Sequence, residues 1–494
     1  MTKVAAVILA DGVADAERQA RMALAAGADL VELRLDRIRD VGVSDVRRLA
    51  SAVGPRSILT VRSAAQGGPG HLTESRRSEL LKEACSRSFA YVDIELERDG
   101  PRAAEMAGLA RRHRATLIVS HHFSRPAGLG QVREALDACA AIGPVAKVAA
   151  PVETIDSAIE LGDLARSEVE RGRRLVLVGM GAAGMLTRAG AGSAGQEIQY
   201  ASLGPLAALG QLSLATAKRL RGRDSWVLGL VGHPLGHSLS PTIHEAGLEA
   251  LGLPGTYLPF DVDAVGLVSL LAASDRFRIR GFNVTIPYKE SIVEALDELD
   301  GDAEGLGAVN TVVVGDGWTK GHNTDVFGFR LSLRSLGLRV GERRILVIGA
   351  GGAAKAVVHV LLREGASVAV ANRTAARAEA LADAFDEPIE VLPVERLDRS
   401  GPWDLVVNAT PLGTKGFATD LPVPEAVIAK AGFVYDLGYN PPDTALLAAA
   451  KRLGRPHASG LEMLLHQAAK SFELWTGRSP PVDAMRRAAK EALA

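Results

Sequence analysis

Two groups of residues in this chain are of types and spacings that could do chemistry. In the first, the apolar run Ile345–Ile348 opens into Gly349-Ala350-Gly351-Gly352-Ala353-Ala354 and then a segment of helical period. Glycines so placed let a backbone turn approach a pyrophosphate, and the helix N-terminus that follows offers free N–H groups and positive dipole to that anion. The next apolar run, Ser367–Ala371, ends in Asn372-Arg373-Thr374, with Arg377 just beyond. An NAD site carries Asp or Glu in that zone to hold the ribose 2′-hydroxyl, whereas guanidinium groups suit a 2′-phosphate. The cofactor this predicts is NADP, with Lys355 keeping a further positive charge near the phosphates.

In the second group, polar side chains recur at the ends of short apolar runs. Glu32 and Arg34 lie two apart and so share one face of a strand. Arg62, Glu95, the pair His121-His122 and Arg188 each close or follow another run. Lys147 stands alone inside Val145–Ala150. An amine in apolar surroundings is disfavoured in its charged form, which lowers its pKa and makes it a nucleophile toward ketones.

The elements that must position these residues can be counted. Val4–Leu9, Leu30–Leu35, Ser57–Val61, Ala90–Leu96, Thr116–Ser120, Ala146–Ala149, Leu175–Gly179 and Ile198–Ser202 are β-type runs with helix-period segments between them. Eight such units predict a (β/α)8 TIM barrel with its chemistry at the C-terminal strand ends. A chain of 494 residues is too long for one core. Its formal charge of −1 removes any bulk electrostatic argument for nucleic-acid or membrane-surface binding. Two cysteines, Cys85 and Cys139, lie far apart without metal-type spacing, as suits a reducing compartment. The opening apolar run is closed early by Asp11-Gly12 and reads as a first strand rather than a signal segment, and no apolar run is of bilayer-spanning length. The expectation is a cytoplasmic enzyme.

Val31-Glu32-Leu33-Arg34-Leu35-Asp36, Thr60-Val61-Arg62-Ser63, Asp93-Ile94-Glu95, Ser120-His121-His122-Phe123, Lys147-Val148-Ala149 and Gly179-Met180-Gly181 resemble type I 3-dehydroquinate dehydratase over about residues 1–220. The resemblance implies a Schiff base between Lys147 and the ring ketone of 3-dehydroquinate. It implies a histidine as general acid/base, assigned to His121 with His122 as the alternative, and Glu95 to orient that histidine. Glu32, Arg34 and Arg62 would hold hydroxyls, and Arg188 the carboxylate. The chain departs from the family's late Ser-x-Pro-Gly-Gln loop: Ala207-Ala208-Leu209-Gly210-Gln211 keeps Gln211 but has no hydroxyl at Ala207.

The basic stretch Lys218–Asp224 marks a boundary. Beyond it a strand enters Gly232–Pro241, where Ser238 and Ser240 could donate to a carboxylate. His233, His237 and His244 have no carboxylate or Cys at metal-ligand spacing, so no metal is predicted. The set formed by Gly281–Lys289, Ala308–Thr311, Asn323-Thr324-Asp325, Val406–Gly413, Asp436–Pro441 and Gly460–Gln467 is similar to shikimate dehydrogenase over about residues 225–494. That resemblance implies carboxylate binding by Ser238 and Ser240, and hydroxyl binding by Thr285, Asn310 and Gln467. It implies Tyr439 beside the substrate, the catalytic pair Lys289 and Asp325, Thr410 and Leu412 on the nicotinamide side, and Gly460 at the cofactor.

The implied architecture is α/β throughout. A dehydratase barrel over 1–222 precedes a two-lobed unit, with a substrate domain over 225–334 completed by 456–494 and a Rossmann NADP-binding domain over 335–455. The two reactions are consecutive, since 3-dehydroshikimate leaves the first and enters the second. Three other readings stay open at this level: a catabolic NAD-dependent quinate/shikimate dehydrogenase, a ligand-binding sensor without catalysis, and a generic Schiff-base aldolase barrel in the first half.

Overall fold

The computed structural model describes residues 1–203, 210–236 and 238–493, so Ala207 and His237 lie outside the described residues. The chain forms two compact units. One comprises Met1–Val227 with Leu253–Leu258 and Ala264–Ile279; the other comprises Leu228–Gly252, Pro259–Asp263 and Arg280–Ala494.

In the first unit β1 (Lys3–Ile8), β2 (Leu30–Arg34), β3 (Ser57–Thr60), β4 (Tyr91–Glu95), β5 (Thr116–His122), β6 (Val145–Pro151), β7 (Leu175–Met180) and β8 (Ile198–Ser202) alternate with helices. The strands neighbour one another in chain order, β8 returns to pair parallel with β1, and the two-residue β9 (Leu212–Ser213) extends that edge. Glu197 N–H donates to the Leu175 carbonyl at 2.9 Å, drawing the β8 end onto β7. This is the expected barrel. Its floor is one side chain from each strand in turn: Ala5, Leu30, Ile58, Tyr91, Ile118, Val145, Val176 and Ile198, with Tyr200 above. Because strand side chains alternate faces, these inward residues also fix which residues two and four positions further along look into the barrel mouth.

The remaining strands form two sheets. β10 (Trp226–Gly232), β11 (Gly255–Asp261), β12 (Ile279–Val284), β13 (Glu298–Leu299), β14 (Thr311–Gly315) and β15 (Trp318–His322) run in the order β11-β10-β12-β14-β15-β13. β14 is antiparallel to both β12 and β15. β16 (Arg344–Ile348), β17 (Ser367–Ala371), β18 (Glu390–Val391), β19 (Trp403–Asn408), β20 (Ala431–Asp436) and β21 (His457–Ser459) form an all-parallel sheet ordered β18-β17-β16-β19-β20-β21. The order reverses at β16, so the glycine turn after Ile348 lies at the switch point where open parallel sheets bind ligands.

Helices Thr324–Ser335 and Leu461–Thr476 cross closely at Gly328, where an added Cβ would stand 2.8 Å from the Met463 carbonyl and 2.9 Å from Gln467 Cβ. That approach brings Asp325 and Gln467, far apart in sequence, to one place.

Candidate active sites

In the barrel, strand parity decides who meets whom. Ile118 belongs to the floor, so Ser120 and His122 share its inward face and His121 takes the other. Lys147 lies in register with Ser120 on the next strand. Its Nζ donates to Asp93 Oδ2 at 2.9 Å and to the Tyr200 hydroxyl at 3.1 Å, with Glu32 Oε1 at 3.5 Å. Asp93 also accepts from Ser120 Oγ at 2.5 Å and Arg62 Nη2 at 3.2 Å. Arg62 Nη1 reaches Ser120 Oγ at 3.0 Å and stands 3.1 Å from His122 Nδ1. Glu32 accepts from Thr60 Oγ1, and Arg34 forms a two-bond fork on Asp36 at 2.9 and 2.7 Å. Lys147, Glu32, Arg34 and Arg62 therefore converge as expected. Beside them a cavity of about 220 Å³ is lined by Asp36, Arg62, Ser63, Glu74, Arg77 and Arg98.

Three expectations are corrected. The histidine among these groups is His122, not His121: His121 Nδ1 faces Glu97 at 3.4 Å and its ring packs edge-on against Phe123. The reason is that β5 continues through both histidines, so alternation turns the first outward. Glu95 does not orient either ring. It accepts from the Ser63 backbone N–H at 2.8 Å and lies between Arg62 and Arg77, because a buried carboxylate is held by the nearest cations and N–H groups. Instead His122 Nδ1 is 3.0 Å from Gln66 Oε1, a contact with a loop residue that has no periodic signal in the sequence.

The third correction is the charge on Lys147. Burial alone would lower its pKa, but Asp93, Tyr200 and Glu32 together outweigh burial and raise it above the ordinary amine range, so the resting group is an ammonium. Asp93 is held well below the usual carboxylate range, burial being outweighed by Lys147 and Arg62. His122 is pushed well below the usual imidazole value by burial and by the charges of Arg62 and Lys147, so it is neutral. Arg188 sits on the helix Met185–Ala189 with Nε donating to the Gly179 carbonyl at 3.2 Å. Burial pushes its pKa down to about 10, with no anion compensating it among the described residues. Gln211 is buried.

Asp93, Gln66, Ser120 and Tyr200 were missing from the sequence-derived list. Asp93 was findable by the rule that paired Glu32 with Arg34, since it precedes Glu95 by two on one strand.

In the second unit Lys289 Nζ donates to Asp325 Oδ2 at 2.6 Å. Asn310 Nδ2 donates to Asp325 Oδ1 at 2.8 Å and lies 3.5 Å from Gln467 Oε1. The Asn310 amide is fixed by its other end, which accepts from the Thr324 N–H at 2.7 Å. Thr285 ends the neighbouring strand with its N–H on the Val231 carbonyl. The Ser240 N–H donates to Ser238 Oγ at 3.2 Å, and burial raises the pKa of Tyr439, whose side chain is bonded to Ser238. These are the residues that the resemblance grouped.

The helix Gly352–Arg363 starts without a side-chain cap, leaving its first N–H groups for an anion. Gly349 has φ +112°, and an added Cβ at Gly351 would meet nothing within 4 Å, so the backbone faces open space there. Ala350, Ala353 and Ala354 add no bulk at this turn. Arg373, Thr374 and Arg377 are exposed beyond β17, and Asn372 closes its turn by donating to the Thr374 carbonyl. Thr410 and Leu412 follow β19 beside the glycine turn, Thr410 Cγ2 coming 3.1 Å from where a Gly349 Cβ would be. The residues fit NADP. Gly460 is a packing residue as well: an added Cβ would lie 2.0 Å from the Leu437 carbonyl.

Comparison with known proteins gives four family matches. Type I 3-dehydroquinase matches residues 4–222, the shikimate dehydrogenase substrate binding domain 230–312, shikimate / quinate 5-dehydrogenase 331–420, and the shikimate 5′-dehydrogenase C-terminal domain 460–490. Shikimate dehydrogenase (NADP(+)) of Caldanaerobacter subterraneus is 44% identical over 51% of this chain and 91% of its own. That of Archaeoglobus fulgidus is 42% identical over 54% of this chain and 98% of its own. A crystal structure of shikimate dehydrogenase in complex with NADP+ superposes with TM-score 0.51 and 37% identity, covering 55% of this chain and 96% of its own.

Proposed function

Because the chain belongs to the shikimate dehydrogenase family and carries a type I 3-dehydroquinase domain ahead of that part, we propose that it performs two consecutive reactions. The first dehydrates 3-dehydroquinate to 3-dehydroshikimate, and the second reduces 3-dehydroshikimate to shikimate with NADPH. The observation that carries this reading is one lysine per unit set against a buried or half-buried carboxylate, Lys147 on Asp93 and Lys289 on Asp325.

In the barrel, Lys147 passes its extra proton to neutral His122 and attacks the ring ketone; His122 returns that proton to the carbinolamine hydroxyl, which leaves as water, so that an iminium stands beside a His122 that is neutral again. Neutral His122 removes the proton from the adjacent carbon, and the electron pair is accepted by the iminium. The neighbouring hydroxyl then departs with a proton as water, and hydrolysis frees Lys147. His122 Nδ1 lies between Gln66 Oε1 at 3.0 Å and Arg62 Nη1 at 3.1 Å, two contacts that hold the ring in place. Glu32, Arg34 and Arg62 hold substrate hydroxyls, while Arg188 and Gln211 hold the carboxylate.

In the second unit, Ser238, Ser240 and Tyr439 bind the carboxylate end, and Thr285, Asn310 and Gln467 the hydroxyls. NADPH, when bound, supplies the hydride. Lys289 donates a proton to the oxygen that becomes the new hydroxyl, and Asp325 holds the ammonium in place. The turn Gly349–Ala354, Asn372, Arg373, Thr374 and Arg377 take the pyrophosphate and the 2′-phosphate, and Thr410, Leu412 and Gly460 flank the nicotinamide. We assign 1–222 to the dehydratase, 225–334 with 456–494 to the substrate domain and 335–455 to the cofactor domain. Two unpaired buried thiols, Cys85 and Cys139, support a cytoplasmic location.

The test is one cuvette of purified chain, 3-dehydroquinate and NADPH. Steady NADPH consumption, abolished by Lys147→Ala and separately by Lys289→Ala, supports both assignments. Failure with 3-dehydroquinate while added 3-dehydroshikimate is still reduced would overturn the barrel's part.

A further inference from the structure

Asp436 is a fully buried carboxylate with no cation on it among the described residues. It ends β20, in register with Asn408 at the end of β19. Three neutral donors converge on it. Asn408 Nδ2 and the Gly438 N–H both donate to Oδ1 at 2.9 Å, and Thr444 Oγ1 donates to Oδ2 at 2.5 Å. A carboxylate accepts at both oxygens, so all three are satisfied at once. An asparagine there would have to point its NH2 at one of these donors.

The consequence runs through Asn408, itself fully buried. With its NH2 committed to Asp436, its carbonyl oxygen must face the other way. There it accepts from both the N–H and the hydroxyl of Thr410, at 3.0 and 2.6 Å. Thr410 Oγ1 in turn accepts from the Leu412 N–H at 3.3 Å. The rotamer this imposes places the Thr410 methyl over the Gly349 turn. One buried carboxylate thus sets the shape of Ala409–Gly413 and, through Gly438, the start of the Tyr439 loop.

We infer that Asp436 is a positioning residue for hydride transfer, acting through Asn408 to hold Thr410 and its loop against the nicotinamide. The inference rests on the dehydrogenase reading above and adds a residue to it. Asp436 touches neither substrate nor cofactor. Hydride transfer is steep in donor–acceptor geometry, and a misplacement of about 1 Å costs about 100-fold. The effect of loosening this relay at Thr410 therefore falls on the transfer step rather than on substrate binding, which Ser238, Ser240, Thr285, Asn310 and Gln467 supply.

The experiment uses the full chain, whose barrel activity reports independently that the protein is intact. Asp436→Asn and Thr410→Val are compared with wild type for reduction of 3-dehydroshikimate, using NADPH and NADPH deuterated at the transferred position. Both variants are expected to lose about 10- to 100-fold in kcat and to raise the primary isotope effect, and Thr410→Val, which leaves the Gly438 contact intact, to keep KM for 3-dehydroshikimate within about twofold. Thr410→Ser, which restores the hydroxyl, is expected to regain most of what Thr410→Val loses. Should Asp436→Asn fail to fold, the Thr410 pair decides. Unchanged kcat and isotope effect in Thr410→Val would overturn the inference, as would a kcat loss in Asp436→Asn that tracks lost folded protein with the isotope effect unmoved. If wild type does not reduce 3-dehydroshikimate at all, the dehydrogenase reading itself falls, and the inference with it.

Discussion

Replacing Gln66 by Glu tests the barrel chemistry at its most exposed assumption, that neutral His122 is the base. The amide oxygen of Gln66 lies 3.0 Å from Nδ1. A carboxylate there would sit about 4 Å from the centre of an imidazolium charge, an attraction of roughly 4 kcal/mol at an effective dielectric of about 20. That is about three pK units. The new carboxylate must itself leave water, and it shares its charge with Arg62, whose Nη1 is 3.1 Å from the same nitrogen. A net rise of about one to two units is the expectation. In the native site burial, Arg62, Lys147 and Arg34 all lower the imidazole pKa, and Asp93 opposes them. The sign follows directly. A base works while neutral, and its rate is lost as pH falls through its pKa, so the native enzyme holds its dehydration rate into acid. Gln66→Glu moves the acid limb of kcat/KM to higher pH by one to two units, about the rise in pKa. Product enone absorbance across about pH 4 to 9 measures this, with the dehydrogenase rate of the same chain as control. An acid limb that stays put or moves downward would refute the assignment of His122 and Gln66 together.

Three further outcomes are expected. His122→Ala should cost about 100- to 10,000-fold in dehydration while His121→Ala stays within a few-fold, because only the former faces the amine; steady-state rates check it. Arg373→Ala should raise KM for NADPH about 10- to 100-fold and leave that for NADH nearly unchanged, since a charge-assisted bond to the 2′-phosphate contributes about 1.5–3 kcal/mol. Glu197, bonded by Arg174 against a smaller effect of burial, has its pKa lowered from 4.5 to about 2. A depressed carboxylate stabilises the fold above its unfolded pKa and loses that as pH falls through the folded one. With its side chain still partly open to solvent, its worth is about 1 kcal/mol, and thermal melts of Glu197→Gln should show a shallower loss of Tm between about pH 4.5 and 2.

What could be read in the chain was what alternation and chemistry along one strand reveal. The eight runs of the barrel were placed within a few residues, since buried parallel strands are short, apolar and regularly spaced. Glu32 with Arg34, Arg62 and Lys147 were found because each is a polar residue on such a run. The choice between the two histidines turns on the same alternation: a strand ended at Ser120 leaves both open, and one carried two residues further turns His121 outward and His122 inward. Gln66 could not be reached this way. It lies in a 3₁₀ turn, Ala64–Gln66, where no period relates a residue to a face.

The charge on Lys147 shows the deeper limit. Its neighbours along the chain are apolar, and on them alone the amine would be a free base. Its neighbours across the sheet are Asp93, two strands away, and Tyr200 on β8, and these reverse the sign. A strand displays its own sequence but takes its electrostatics from the strands beside it, so protonation state belongs to the pairing and not to the run. The two lysines make the point together. In the proposed reduction Lys289 is the proton donor, and its one carboxylate partner, Asp325, lies 2.6 Å from its Nζ. Lys147 must shed one before it can attack, yet it rests as an ammonium locked to Asp93. In the proposed mechanism neutral His122 acts twice, first taking the proton that frees the amine and, once that proton has left with the carbinolamine hydroxyl, taking the one from carbon. On that mechanism His122 must be uncharged at rest, and a carboxylate in place of the Gln66 amide would work against it.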